Sequence, residues 1–447
     1  MARTRQQGGR RPFVQDALGL LGNRFAVMGL TVITGAVLAR CLGAEGRGLI
    51  AAVLVYPTMF LSLTEMGVRQ SSIYYLGKQL FSDQQVVGAV STLILLTGLV
   101  GTLVVAGLLL AMGNPEFTPV LIALAVASIP LTLVKDYSSG ILLGKRQVGV
   151  FAKVYRMAES QRLVMVLLLV WWLALGVPGA LLATLLSSLL VASYALWRIS
   201  QIAPLRPNAQ WPVIRALLLK GIVYAVGLFV LTLNYKVDIA LMERLSTVSE
   251  IGIYTIAVGV AQLTWALPQS ITTAVFSHSA TARDERAFAH KVARLFRVTI
   301  IVSLGLVAVL AVVAPLLIPV IYGAEFRASV LPLHLLLPGV FCLLALKILA
   351  VDLAGRGRPN LSLYVTVPSL LVNIALNLYL LPRHGACGAA VASSISYSLA
   401  GFGLMVLYCR VTGLPLRELW RYRRSDFDFI PRLLPARLRS RFQPRRR

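Results

Sequence analysis

Long apolar segments recur along the whole chain and limit its possible folds more than any other feature. A helix needs about 20 apolar residues to cross the hydrocarbon layer of a membrane. Segments of about that length lie at 18–40, 47–68, 86–112, 117–141, 154–175, 178–198, 218–242, 251–276, 296–320, 329–353, 361–381 and 385–409. Only 13% of the 447 residues are charged, about half the share of a typical soluble domain. The sequence therefore predicts an all-α integral membrane protein with about 12 transmembrane helices.

The basic residues are distributed unevenly between the two sides of this predicted bundle. The chain has a net charge of +26. If the N-terminus is cytoplasmic, the outer loops contain as many basic as acidic residues: Arg40, Arg47, Arg244, Arg327 and Arg383 against Glu45, Glu116, Glu243, Glu250 and Glu325. The basic surplus then lies in the inner segments, as the positive-inside rule requires. This pattern predicts cytoplasmic termini and accounts for the charge without a nucleic-acid partner.

The two halves of the chain match each other at a nearly constant offset, which indicates an internal repeat. Each matching pair is short: Arg40 with Arg244, Gly48 with Gly252, Gly144-Lys145 with Gly355-Arg356, and Gly176 to Ala180 with Gly385 to Ala389. The matches occur in the same order in both halves. They predict two lobes of six helices each.

The repeat predicts five regions along the chain. They are a basic cytoplasmic N-terminus (1–17), a first lobe (18–198), a cytoplasmic linker (199–217), a second lobe (218–410) and a basic cytoplasmic tail (411–447). The linker contains three prolines, at 204, 207 and 212, which favours an irregular connection over a helix.

Eleven ionisable residues lie inside or near the ends of the predicted spans: Arg24, Glu65, Arg69, Lys135, Asp136, Glu159, Arg162, Lys236, Asp238, Lys347 and Asp352. A charge at the centre of a membrane helix costs about 2.5–3.5 kcal/mol, so these residues must pair or face a wet interior. The i,i+4 spacing of Glu65 and Arg69 and the i,i+3 spacing of Glu159 and Arg162 suit local pairs that brace the fold. Lys135 lies near the cytoplasmic end of its span and can extend its ammonium towards the headgroups.

Arg24, Lys236 and Asp238 have no opposite charge one helical turn away, and each lies within the apolar part of the first helix of its half. Lys236 and Asp238 are two residues apart and point about 200° apart around a helix, so at least one should face the protein interior. Asn234 shares a face with Asp238. Two interpretations remain open for this group: the side chains line a central cavity, or they only form hydrogen bonds between helices. For Asn373 and Asn377, helix-to-helix bonding is the better interpretation.

The sequence contains no pattern that indicates an enzyme. The four histidines and four cysteines show no metal-ligand spacing, and no nucleophile triad or glycine-rich phosphate loop is present. The predicted outer loops are also too short to hold an acceptor substrate. We therefore expect no catalytic residues, no cofactor and no metal.

Several motifs resemble the polysaccharide (Wzx-type) flippase branch of the multidrug/oligosaccharidyl-lipid/polysaccharide (MOP) exporter superfamily. They are the segment from Ala39 to Gly48, Asp238 with Leu241, Gly252 with Tyr254, the segment from Tyr322 to Phe326, Ala354 to Arg356, and Asn373 and Asn377 followed by Leu381-Pro382, Gly385 and Gly388-Ala389-Ala390. Each motif is weak alone, but together they follow the family order over nearly the whole chain.

The resemblance implies a transporter of the inner (cytoplasmic) membrane that moves a polyprenyl-pyrophosphate-linked oligosaccharide by alternating access. In that scheme Arg24, Lys236 and Asn234 bind the diphosphate in a central cavity, and Asp238 binds a coupling cation, H⁺ or Na⁺. The expected partners are the lipid-linked glycan and membrane lipids. The alternative is a cation-coupled exporter of small amphipathic molecules with the same two-lobed fold.

Overall fold

The computed structural model describes residues 13–208, 210–266, 268, 275, 279, 284–423 and 426, with side chains from Gly22 onward. The predicted basic segments before residue 13 and after residue 426 lie outside the described residues. So do parts of the predicted span 251–276.

Contacts divide the described chain into two compact units. Unit 1 comprises residues up to Glu243 together with 247–252 and 321–325, and unit 2 comprises the remainder. The helices of unit 1 are α1 (Phe13–Thr64), α2 (Val68–Gly77), α3 (Asp83–Met112), α4 (Pro119–Gly144), α5 (Val148–Val166), α6 (Gly176–Ser200) and α7 (Trp211–Leu245), and a π-helical turn, Leu167–Trp172, extends α5.

Unit 2 is also helical. Its helices are α8 (Val248–Gln262), α9 (Glu285–Tyr322), α10 (Val330–Cys342), α11 (Leu344–Gly355), α12 (Leu363–Thr412) and the short α13 (Leu416–Trp420). The first residues of α8 and the last residues of α9 belong to unit 1. No β-strand occurs among the residues that the structure describes.

The helices confirm the predicted class of fold. Eight helical segments in the described chain are long and apolar enough to cross a membrane. The two longest helices each contain one residue with non-helical backbone angles, Gly43 in α1 and Gly385 in α12, so each contains two of the predicted spans. The predicted span 329–353 is divided between α10 and α11. The eight segments thus contain ten of the twelve predicted spans, all but 154–175 and 251–276, and the predicted all-α membrane fold is confirmed.

The predicted repeat is visible in the backbone. Gly144 and Gly355, which match at an offset of 211, are the last residues of α4 and α11. Two residues later the chain is left-handed in both copies, at Arg146 (φ 57°) and Gly357 (φ 79°). Equivalent backbone turns thus follow equivalent helices in the two halves.

A reciprocal backbone contact joins the second span of α1 to the start of α8 within unit 1. A Cβ placed on Gly48 would lie 1.7 Å from the carbonyl oxygen of Val248, and one on Gly252 would lie 1.9 Å from that of Ala44. Ala44 and Gly48 are the repeat equivalents of Val248 and Gly252, at an offset of 204. Each half of the repeat therefore contributes the same two positions to this contact. Only glycine, which has no Cβ, allows so close an approach of two backbones.

Helix α7 groups with unit 1 by its contacts, although the repeat assigns it to the second lobe. The predicted division into lobes at 199–217 remains a prediction.

In unit 2, the segment after α12 is held against the start of α9 by a buried ion pair. Arg297 donates two hydrogen bonds to the carboxylate of Asp426, both at 2.8 Å, and a third to the carbonyl of Glu418 at 2.5 Å. Both Arg297 and Asp426 are buried. The ring of Trp420 packs edge-on against Phe296, with 6.2 Å between ring centroids. The described part of the predicted tail is therefore docked on the protein.

This docking should depend on pH through Asp426. The hydrogen bonds from Arg297 hold the pKa of Asp426 below its ordinary value of 3.8. The pair therefore stabilises docking fully above that ordinary value, and the stabilisation is lost as the pH falls through the lower folded-state pKa. We expect amide hydrogen exchange of Leu416–Trp420, corrected for the intrinsic rate, to be equal at pH 7 and pH 5 and faster below about pH 4.

The variant Asp426→Asn should show fast exchange at pH 7 as well, because it removes the charge at every pH. Asp83→Asn, which alters an exposed pair with Lys145 in unit 1, is the matched control and should leave exchange in this segment unchanged. Slow exchange in Asp426→Asn at pH 7 would show that the ion pair does not hold the segment.

Candidate functional site

A break in the second span of the chain organises the polar interior of unit 1. Helix α1 ends at Thr64 and α2 begins at Val68. Between them Met66 (φ 48°) and Gly67 (φ 65°) have left-handed backbone angles. The hydroxyl of Tyr137 donates to the carbonyls of Thr64 and Glu65 at 3.3 and 3.1 Å. Interrupted membrane helices of this kind are typical of binding sites in transporters.

The break corrects one sequence-based interpretation. The i,i+4 pairing expected for Glu65 and Arg69 assumes a continuous helix, and the backbone is not helical between these residues. In the part of the chain that the structure describes, no carboxylate–guanidinium contact within 4.0 Å joins them. Instead, the Oε1 atom of Glu65 is shielded from solvent and has no hydrogen-bond partner. A carboxylate oxygen in this state is costly unless it takes up a proton or a ligand.

Other charges act on Glu65 from two helices. Arg69 follows on α2, and Lys135 and Asp136 come from α4. The ammonium of Lys135 lies 3.6 Å from the carboxylate of Asp136, and the hydroxyl of Tyr155 on α5 donates to the same carboxylate at 3.4 Å. The ammonium of Lys135 also lies 5.5 Å from the ring centroid of Tyr155, a contact between helices that its sequence spacing does not predict.

These side chains are only partly covered. The side chain of Lys135 is 26% exposed and that of Asp136 15%, so both can contact water or a ligand.

A second polar group of unit 1 lies between α1 and α5. The Nη1 atom of Arg162 is 3.9 Å from the carboxylate of Glu159, which confirms the predicted i,i+3 pair. The hydroxyl of Thr31 on α1 donates to the same carboxylate at 3.3 Å. Arg24 lies two helical turns before Thr31 and is half-buried. We call these charged, partly covered residues of unit 1 the charged surface: Glu65, Arg69, Lys135, Asp136, Glu159 and Arg162.

The predicted site residues of α7 also belong to unit 1. Asn234 and Asp238 are buried, at 3% and 1% exposure, and Lys236 is half-buried. The shared burial of Asn234 and Asp238 agrees with the shared helical face expected from their spacing. Asn234 and Asp238 both have partners within the protein. Whether the group lines a cavity or braces helices remains a prediction.

Besides the ion pair of Arg297 and Asp426, two further polar networks lie in the described part of unit 2. In the first, the amide of Asn377 donates to the carbonyl and side-chain oxygens of Asn373 at 2.9 and 2.7 Å. Asn373 donates to the hydroxyl of Ser393 at 3.4 Å, which also contacts the hydroxyl of Tyr254 at 3.2 Å. The hydrogen bonds join the two spans of α12 to each other and to α8. They match the helix-to-helix bonding expected for the two asparagines.

The second network centres on Asp352, whose side chain is fully buried. Its carboxylate accepts hydrogen bonds from Tyr408 at 2.7 Å, from Arg356 at 2.9 Å and from Ser279. From the sequence, Asp352 is recognisable only as a charge in a predicted span. Arg356 stands at i,i+4 but beyond the predicted end of the span at 353, which is why the pair was missed.

The fold of this chain is shared with membrane transporters of known structure. The structure is similar to the lipid II flippase MurJ in an inward closed conformation, with a TM-score of 0.72, 16% identity, and 90% of this chain and 89% of that chain covered. It is also similar to an inward-facing multidrug resistance MATE family transporter, with a TM-score of 0.66, 15% identity, and 90% and 98% covered.

Sequence comparison identifies the family. The model for "Polysaccharide biosynthesis protein" matches residues 37–331, more than half of the chain, so the protein belongs to that family. A curated relative is the probable low-salt glycan biosynthesis flippase Agl15 of Haloferax volcanii, 22% identical over 165 residues. That match covers 36% of this chain and 35% of Agl15, so the chain spans about a third of the length of this relative.

Proposed function

We propose that this protein is a flippase that moves polyprenyl-diphosphate-linked oligosaccharides from the inner to the outer leaflet of the cytoplasmic membrane, for the synthesis of a cell-surface polysaccharide. Its family and the names of Agl15 and MurJ support transport of a lipid-linked glycan. The multidrug exporter is the weaker alternative, because the family model that matches more than half of the chain is one for polysaccharide biosynthesis, whereas MATE transporters share the fold alone.

The observation that carries the proposal is the charged surface of unit 1. Its substrate would combine a diphosphate and sugars, which hydrocarbon rejects, with a polyprenyl tail, which water rejects. Partly exposed carboxylates and cations inside an apolar bundle can form hydrogen bonds with the diphosphate and the sugars and can keep water around them. The side chains of Glu159 and Arg162 are 24% and 30% exposed, and Lys135 and Asp136 are similarly accessible.

In this proposal the cations of the site attract the diphosphate. Arg24 and Lys236, two further half-buried cations of unit 1, supply positive charge, and Asn234, on the same helix as Lys236, supplies an amide. Asp238 binds a cation, H⁺ or Na⁺, and releases it as the protein alternates between inward-open and outward-open states. Each elementary charge that crosses 100 mV contributes about 2.3 kcal/mol, which is sufficient to bias the cycle.

The test is transport by variants reconstituted in proteoliposomes. A polyprenyl-diphosphate-linked oligosaccharide with a labelled sugar is placed in one leaflet, and its arrival in the other is measured with a membrane-impermeant glycosidase. Arg24→Ala, Lys236→Ala and Asp238→Ala should each lower the initial rate about tenfold or more, because each removes a charge that contacts the substrate or the coupling cation.

The matched control is Arg156→Ala. Arg156 is exposed and donates to Asn23, the neighbour of Arg24, at 3.3 Å, so its loss tests the effect of removing a nearby cation. Its transport rate should equal that of the wild type. Normal rates in all three site variants at equal protein abundance would exclude these roles. Efflux of a cationic dye without glycan transport would support the exporter instead.

A further inference from the structure

In unit 1, two lysines share the ring of one tyrosine at the junction of α2 and α7. The ammonium of Lys220 lies 3.6 Å from the ring centroid of Tyr74. The ammonium of Lys78, one turn after Tyr74, lies 4.7 Å from the same centroid. The distance between the two ammonium groups therefore cannot exceed the sum of these two distances.

Neither ammonium is neutralised by a carboxylate. Among the described residues, no aspartate or glutamate oxygen lies within ion-pair distance of Lys78 or Lys220, whereas Asp83, close to Lys78 in sequence, is bound to Lys145 at 2.6 Å. Two like charges held on one ring repel each other, and an aromatic face offsets this only partly. The arrangement favours an anion that can contact both ammonium groups.

The backbone holds these side chains in place. A Cβ on Gly67 would lie 2.1 Å from the carbonyl oxygen of Gly221, and one on Gly221 would lie 2.3 Å from that of Met66. One turn earlier on α7, the carbonyl of Ala216 accepts a hydrogen bond from the hydroxyl of Tyr75 at 3.4 Å. Contacts on both sides of Lys220 thus fix the backbone of α7 against that of α2, so the points from which Lys220 and Tyr74 project are held at a constant spacing.

The position along the chain indicates what kind of anion is available. Lys78 follows the predicted span 47–68, and Lys220 lies at the start of the predicted span 218–242, both on the side assigned to the cytoplasm. Trp211, at the beginning of α7, is 65% exposed, as is typical of tryptophan at a membrane interface. At this level the abundant anions are the phosphate groups of lipids.

We propose that Lys78, Lys220 and Tyr74 form a binding site for the phosphate group of an anionic membrane lipid. The lysines contact the phosphate as point charges, and the ring of Tyr74 keeps the two ammonium groups together. The site is separate from Arg24, Lys236 and Asp238 in sequence and does not depend on the proposed transport function.

The test is native mass spectrometry of the purified protein titrated with phosphatidylglycerol, with zwitterionic phosphatidylcholine as the reference lipid. The double variant Lys78→Ala/Lys220→Ala should bind phosphatidylglycerol about tenfold more weakly and phosphatidylcholine as before. The matched control is Lys153→Ala, which removes a single lysine 5.0 Å from the ring of Tyr194. That control should bind both lipids like the wild type.

Two further binding measurements distinguish which phosphate compound occupies the site. Displacement of phosphatidylglycerol by a polyprenyl diphosphate, dependent on both lysines, would extend the site to the lipid-linked substrate. Binding of inorganic phosphate or pyrophosphate without binding of either lipid would overturn the proposal. Equal phosphatidylglycerol affinity in the double variant and in Lys153→Ala would overturn it as well.

Discussion

Replacing Gly48 with alanine is expected to destabilise the protein strongly, at the upper end of the roughly 1–3 kcal/mol that overpacking costs. The new Cβ would lie 1.7 Å from the carbonyl oxygen of Val248, and a backbone atom cannot rotate away as a side chain can. The start of α8 would have to separate from α1. Gly252→Ala should have an effect of similar size, because its Cβ would meet the carbonyl of Ala44 at 1.9 Å.

Two control variants replace another glycine on each of the same two helices. Gly29 on α1 and Gly259 on α8 have no atom within 4 Å of an added Cβ, so alanine there should be neutral or slightly stabilising. The midpoint of thermal unfolding in detergent and the abundance in the membrane measure the effect. If Gly48→Ala unfolded at the same temperature as Gly29→Ala, the close approach of α1 and α8 would be wrong.

The spans were predictable because a membrane leaves the backbone few options. Every peptide group in hydrocarbon needs a partner, and a helix supplies it locally, so apolar length alone locates the helices. The matched glycines of the repeat likewise anticipated the positions of backbone turns. The family motifs added the order of the helices over nearly the whole chain.

The break after Glu65 was not predictable from its own segment. The residues from Thr64 to Arg69 include no proline, and the left-handed Gly67 is held by contact with Gly221, which lies about 150 residues later. For the same reason, spacing predicted the pair of Glu159 and Arg162 but failed for Glu65 and Arg69. Local spacing identifies partners only where the helix continues between them.

The carboxylate of Asp352 receives its hydrogen bonds largely from residues that are distant in the sequence. Tyr408 lies 56 residues away and Ser279 73 residues away, and no local pattern connects them to Asp352. Their hydrogen bonds, with that of Arg356, make this carboxylate part of the scaffold of unit 2. A buried carboxylate is therefore not by itself a sign of a binding site.

The variant Asp352→Asn should accordingly cost about 3–5 kcal/mol of unfolding free energy, because it leaves Arg356 buried beside a neutral group. The side chain of Arg356 is only 5% exposed, and its remaining acidic partner, Glu285, is 65% exposed and 3.4 Å away. Equilibrium unfolding in mixed micelles, followed by circular dichroism, measures this loss. Asp83→Asn, which weakens the exposed pair with Lys145, should cost no more than about 1 kcal/mol.

The double variant Asp352→Asn/Arg356→Gln distinguishes a lost ion pair from a general disturbance of the core. If the cost of Asp352→Asn comes from the unpaired guanidinium, removing that charge as well should restore part of the stability, so the two changes should be less than additive. Strict additivity would mean that Asp352 stabilises unit 2 through Tyr408 and Ser279 alone. A cost for Asp352→Asn as small as that of Asp83→Asn would contradict the buried network itself.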